Sequence, residues 1–118
     1  MRSLLLASAA IVLATAASAQ TIGGRYAVSG TNFDDTPYSG FAEIEAGEGG
    51  TCRIRWDTGS VRRGFCLRSG STFAASYEFD TGTKGLVIYQ IAPDGSMSGE
   101  WSVSTLPEVR RETLTPVR

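Results

Sequence analysis

The chain has 118 residues, 42% hydrophobic and 19% charged, with a formal net charge of −1, two Cys and no His. Without His there is no Ser-His-Asp or Cys-His catalytic arrangement and no His-ligated zinc, and two Cys alone complete neither a Cys₄ zinc site nor an iron–sulfur cluster. Near-neutral charge argues against nucleic acid as a partner, and the length fits one small domain.

The chain begins with the pattern of an export signal. Met1-Arg2-Ser3 is a short cationic start, Leu4 to Ala14 is apolar except for Ser8, and Ala17-Ser18-Ala19 is a small-x-small cleavage pattern. This predicts a signal peptide over 1–19 and a mature domain over 20–118. The alternative is an N-terminal membrane anchor, for which the apolar run is short; no second long run follows, so no membrane span is expected after signal removal. All fourteen Gly and all eleven aromatic residues lie beyond the signal. Gly at about twice its usual share, with no collagen period, points to turns and closely packed strands.

Beyond the signal, period-two alternation recurs between clusters of Gly, Asp, Asn and Pro, and helical periodicity is absent. It predicts eight strands, over about 22–30, 37–46, 51–57, 61–68, 72–79, 84–92, 96–103 and 109–115. Short connections favour an antiparallel meander, and eight such strands can close into an up-and-down barrel; a two-sheet sandwich is the alternative.

In chain order, the first connection is acidic. Asn32, Asp34 and Asp35 are oxygen donors of the kind calcium takes, but the spacing is not an EF-hand loop, so a solvated turn is expected and no metal site. The hairpin around Asp57-Thr58-Gly59-Ser60 registers Cys52 with Cys66, Ile54 with Gly64, and Trp56 with Arg62. In an oxidising compartment that register predicts a Cys52–Cys66 disulfide rather than a redox pair, since no Cys-x-x-Cys spacing is present. The same hairpin carries Arg53, Arg55, Arg62, Arg63 and Arg68 against one local acid, Asp57. Arg53, Arg55 and Arg63 point outward as a candidate surface for an acidic partner, or as a solvated, edge-protecting strip. Arg62 turns inward, and Glu112, of matching parity, is its candidate partner. The hairpin at Ala92-Pro93-Asp94-Gly95 suits a three-residue loop that pairs Ile91 with Met97, Tyr89 with Gly99 and Val87 with Trp101.

Carrying this parity along the chain puts Tyr26, Val28, Tyr38, Ala42, Ile44, Ile54, Trp56, Phe73, Ala75, Tyr77, Val87, Tyr89, Ile91, Met97, Trp101, Val103 and Leu114 inside. Gly40, Gly64, Gly85 and Gly99 also face inward, making room for rings. The rings either fill the barrel or line a ligand cup at one end. Candidate ligand-binding residues are Tyr26, Tyr38, Trp56, Arg62, Tyr77, Tyr89, Trp101 and Glu112. Phe41, Phe65, Leu67, Leu86 and Ile88 take the outward parity, as a candidate surface for self-association or a protein partner.

The stretches Gly24-Arg25-Tyr26-Ala27-Val28-Ser29-Gly30, Tyr38-Ser39-Gly40, Gly85-Leu86-Val87-Ile88-Tyr89 and Gly99-Glu100-Trp101, with Trp56, Asp94-Gly95 and Glu112-Thr113-Leu114, carry a resemblance over nearly all of the mature chain. The sequence resembles a group of small exported bacterial proteins, mostly uncharacterised, some labelled fibronectin-binding. Those relatives commonly have Gly-x-Gly after the Trp strand, where this chain reads Gly64-Phe65-Cys66. The architecture is similar to avidin and lipocalin barrels, but avidin's biotin-binding residues have no counterpart here. The resemblance implies a periplasmic or secreted protein. The expected function is non-enzymatic binding, at an aromatic-lined barrel mouth or on the outer surface, with no cofactor. The alternative is a protein-interaction module, an inhibitor or host-matrix adhesin, using the Arg-rich hairpin and the outer apolar face.

Overall fold

A computed structural model describes residues 21–118; the predicted signal, 1–19, lies outside the described residues. Eight strands follow in chain order: β1 Gly24–Thr31, β2 Pro37–Ala46, β3 Thr51–Asp57, β4 Val61–Ser69, β5 Thr72–Glu78, β6 Lys84–Ile91, β7 Met97–Val103 and β8 Arg110–Pro116. Each lies within two residues of its predicted span. Every strand pairs antiparallel with the next, and β8 returns to β1, Tyr26 opposite Pro116 and Gly30 opposite Glu112. That last pairing makes a closed barrel and excludes the sandwich; closure leaves no edge strand.

Both hairpin registers hold. Cys52 faces Cys66 and Trp56 faces Arg62 across β3 and β4. Tyr89 faces Gly99 and Val87 faces Trp101 across β6 and β7. The second turn closes with Ala92 N–H donating to the Ser96 carbonyl at 2.8 Å, and Gly95 takes φ 86°, the left-handed geometry its position requires. Cys52 and Cys66 are bonded, their Cα atoms 4.9 Å apart across the strands. With a sequence separation of 14, the bridge contributes on the order of 3 kcal/mol by restricting the unfolded chain.

The alternating pattern divides the wall into two faces. All seventeen predicted interior residues are buried or half-buried, and Ile22 joins them from ahead of β1. The barrel has unlike ends. The loops after β2, β4 and β6, together with the start of β1 and the end of β8, gather at one end, which Tyr26, the disulfide, Phe73, Met97 and Leu114 pack shut. The loops after β1, β3, β5 and β7 gather at the other.

Aromatic rings fit this narrow interior because a glycine lies beside several of them. A Cβ on Gly99 would sit 2.4 Å from the Tyr89 ring, and one on Gly85 2.1 Å from the Tyr77 ring. Gly30 does the same for Tyr38, a role the sequence reading did not assign. Gly40 differs from the expectation: its added Cβ would meet the Asp57 carbonyl at 2.0 Å, so it permits close approach of backbone rather than of a ring.

These contacts predict an ordering of substitutions. Gly99→Ala drives a methyl into Tyr89, which is fully buried, and should cost about 3 kcal/mol. Gly85→Ala should cost less, because Tyr77 is only half-buried and can swing toward the open end. Urea unfolding of both variants tests this; equal losses would contradict a rigid Tyr89 and a yielding Tyr77.

Candidate functional site

The floor of the open end is a carboxylate that β8 carries inside. Glu112 shares parity with Leu114, so the alternation that buries Leu114 turns Glu112 inward as well, leaving it 7% exposed. A buried charge needs partners, and three aromatic side chains supply them. The Tyr38 hydroxyl donates to Oε1 at 2.7 Å, the Trp56 indole N–H donates to Oε2 at 3.2 Å, and the Tyr89 hydroxyl donates to Oε2. One carboxylate thus ties together β2, β3, β6 and β8. Tyr89 also stacks on Phe73, centroids 5.5 Å apart, and so joins this floor to the packed end below.

Above the floor lies a cup of about 430 Å³. Tyr38, Trp56, Tyr77, Trp101 and Arg62 line it, and the loops add Phe33 and Phe79, with Thr58, Ser60, Thr81 and Thr83 among the polar lining. The rings meet edge to face in two groups. Phe33 and Tyr38 contact Trp101 at 4.7 and 6.2 Å between centroids. Trp56 and Phe79 contact Tyr77 at 5.2 and 5.5 Å. Phe33 is held over the cup by β8: Arg110 donates to the Asn32 and Phe33 carbonyls at 3.3 and 3.0 Å and pairs with Asp35 at 3.3 Å.

Two donors in the cup stand out. The Trp101 indole N–H is buried and meets no acceptor in hydrogen-bond geometry among the described residues, although its nearness to the Tyr38 hydroxyl acts to lower the Tyr38 pKa. The Arg62 guanidinium lies 3.9 Å over the Phe79 ring. The expected Arg62–Glu112 pair does not form: the two ion pairs among the described residues are Lys84–Glu78 and Arg110–Asp35. The three aromatic donors reach Glu112 instead, and Phe79, which continues the inward parity of Phe73, Ala75 and Tyr77 just past β5, takes Arg62.

Of the eight proposed ligand residues, Tyr38, Trp56, Arg62, Tyr77, Trp101 and Glu112 line the cup. Tyr89 lies beneath, bonded to Glu112. Tyr26 is elsewhere: it is buried toward the shut end, its hydroxyl accepting from Gly23 N–H at 3.2 Å. The first strand enters from that end, so Tyr26 shares the parity of the mouth residues but not their depth. Phe33 and Phe79 were not singled out in the sequence, where the available signal was a large aromatic residue beside each turn.

On the outer wall, Arg53, Arg55 and Arg63 do not form an isolated basic strip. Glu45 faces Arg53 and Glu43 faces Arg55 from β2. Arg53 also covers the Phe65 ring at 5.7 Å, as Arg25 covers Phe41 at 4.1 Å. A depression of about 1340 Å³ crosses this wall between Arg25 and Ser104, but it lacks the cup's buried polar floor. In the first loop, Asp34 accepts from both the hydroxyl and the N–H of Thr36, which hold its carboxyl below the usual range and commit it to the turn.

No protein-family model matches the chain, and no curated protein matches it. Solved structures do. The fold is similar to that of a de novo designed fluorescence-activating beta barrel, with TM-score 0.65 and 21% identity over 83% of this chain and 96% of that one. It is also similar to a redesigned beta barrel, with TM-score 0.67 and 16% identity over 87% of this chain and 96% of that one. At these identities the likeness establishes the eight-stranded barrel.

Burial is the largest influence on Glu112 and raises its pKa above the ordinary 4.5, while the bonds from Tyr89, Tyr38 and Trp56 pull it back down. The same burial, with the Glu112 charge, pushes the Tyr38, Tyr77 and Tyr89 hydroxyls far above the usual phenol range, so they stay protonated. A carboxyl with a raised folded pKa binds protons more tightly folded than unfolded. Its contribution to stability therefore falls as pH rises from about 4.5 through the folded value. Asp34 and Asp94, with lowered values, act in the opposite sense. Relative to Glu112→Gln, which retains both, the wild-type melting temperature should fall between pH 4.5 and 8. Parallel melting curves across that range would contradict a raised Glu112.

Proposed function

We propose that this is an exported, non-catalytic binding protein that takes a small aromatic ligand into the open end of its barrel. The observation that carries the reading is the cup itself, whose buried Trp101 N–H has no acceptor. Its volume falls within the range of small-molecule sites, and its composition, aromatic walls with a few fixed polar groups, is what such sites use. A buried donor without a partner costs on the order of 1–3 kcal/mol, and an acceptor on a ligand would recover it. The barrel neighbours support the reading, since one of them is a fluorescence-activating design. The disulfide supports an oxidising compartment, the periplasm or the exterior.

Both tryptophans of the chain line the cup, so a ligand entering there should change the intrinsic fluorescence directly. Native mass spectrometry of protein taken from its own compartment should show a retained small mass. Thr83→Trp, placed at the rim to block entry, should abolish that adduct, whereas replacing Arg53, Arg55 and Arg63 with Gln should leave it. An adduct lost only in the arginine variant would move the site to the outer wall.

A second reading has its own observation. Phe65 and Leu67 on β4 and Leu86 and Ile88 on β6 are 47–65% exposed, and they flank the small outward residues Ala74 and Ser76 of β5. Four large apolar side chains on one wall make a surface for a protein partner, including a second copy. Sedimentation at increasing concentration should show self-association that Leu86→Lys removes; a monomer at every concentration would rule out the second copy.

A further inference from the structure

We propose that the ligand of the cup is an aromatic acid: a planar ring lying between the two aromatic groups, with its carboxylate accepting from Arg62 and Trp101. This rests on the binding role argued above and adds a charge and an orientation to it.

On the acceptor side, the obvious group is Glu112, but its two oxygens already take three donors from the protein, one on Oε1 and two on Oε2. The hydroxyls that reach it have spent their protons on it. On the donor side, the Trp101 N–H is buried and unused. Arg62 is half-buried with its guanidinium face against Phe79, which leaves its edge N–H groups, and among the described residues no carboxylate lies within 4 Å of it. Hydroxyls of the lining can donate or accept, but the two groups that can only donate, Arg62 and the Trp101 N–H, are unmet, and one of them carries full positive charge. A carboxylate answers both, since guanidinium and carboxylate pair through two parallel hydrogen bonds.

The rest of the ligand follows from the walls. Phe33 and Trp101 stand on one side, Trp56, Tyr77 and Phe79 on the other, and most of the apolar lining is ring surface, with Val87 and Val103 the aliphatic part. An aromatic ring fills such a slot with edge-to-face contacts that a flexible chain of equal area does not make. A cationic ligand suits the walls but meets Arg62, and Glu112 lies below with its oxygens engaged. A neutral aromatic leaves Arg62 without a counterion.

The test uses the oxidised full chain and three probes of matched shape, 2-naphthoate, 2-naphthalenemethanol and 2-naphthylmethylammonium. Calorimetry at pH 7 should find the naphthoate bound about tenfold more tightly than the alcohol, and the ammonium most weakly. Arg62→Gln should erase the preference for naphthoate over the alcohol while leaving alcohol affinity within about twofold. Trp101→Phe keeps the ring and removes the N–H, and should weaken naphthoate about tenfold. In ¹H–¹⁵N spectra, naphthoate should shift the Trp101 indole signal more than that of Trp56. If the alcohol or the ammonium binds as tightly as naphthoate while the Trp101 signal moves, the cup binds but the acid assignment is wrong. If no probe moves either indole signal, the binding role falls with it. Urea unfolding of each variant separates loss of binding from loss of fold.

Discussion

A narrow barrel that buries a carboxylate must surround it with donors, and the Glu112 cluster meets that requirement with ring-bearing side chains. Tyr38, Trp56 and Tyr89 each bring a large apolar body and one polar tip. Pointing the tips at one carboxylate fixes where the bodies lie. Tyr89 is thereby held upright on Phe73, and Tyr38 and Trp56 become the walls above. A Leu at position 112 would release all three tips, and rings that must each find a partner elsewhere would not keep one arrangement. Partly satisfied, such a cluster would destabilise the core; satisfied, it gives the interior a single geometry.

The two halves of the barrel then serve different ends. Below Glu112, the disulfide, Phe73, Met97 and Leu114 exclude solvent and supply the hydrophobic term. Above it, side chains of the same inward parity stop short of filling the space, and polar loop residues border what is left. The mouth keeps its shape because it is fastened from outside the cup: Arg110 grips the first loop by two carbonyls and Asp35, the one non-glycine residue with positive φ among the described residues.

How far the sequence carries the structure depends on the range of each interaction. Strands and hairpin registers are local, so alternation and turn chemistry suffice: Cys52 opposite Cys66 and Tyr89 opposite Gly99 are both readable from a few residues on either side of a turn. The inward parity of Arg62 and Glu112 is readable too. The partners of Glu112 are not, because pairing across the lumen depends on how the barrel closes. Glu112 meets Tyr38 across 74 positions and Trp56 across 56, and no turn registers β8 against β1. Arg62 instead meets Phe79, which the β4–β5 register, with Gly64 opposite Tyr77, sets beside it when carried two residues further. Depth along the barrel axis is likewise invisible to parity, and this is why Tyr26 looks like a mouth residue on paper and packs toward the opposite end.

The closure of β8 onto β1 has a kinetic side. Seven of the eight strand pairings join neighbours in sequence through short connections, and one, Gly30 with Glu112 among its partners, joins the first strand to the last. By chain entropy, closing a loop of about 80 residues costs roughly 3 kcal/mol more than closing one of about 4. That cost falls on a single event, and the strand that makes it carries the buried carboxylate. Before β8 docks, Glu112 is hydrated and Tyr38, Trp56 and Tyr89 lack their common acceptor; after it docks, the charge is sealed among them. The β8–β1 pairing, which brings Tyr38 and Trp56 round to Glu112, is therefore the contact most distant in sequence and also the one that completes the cup's polar floor.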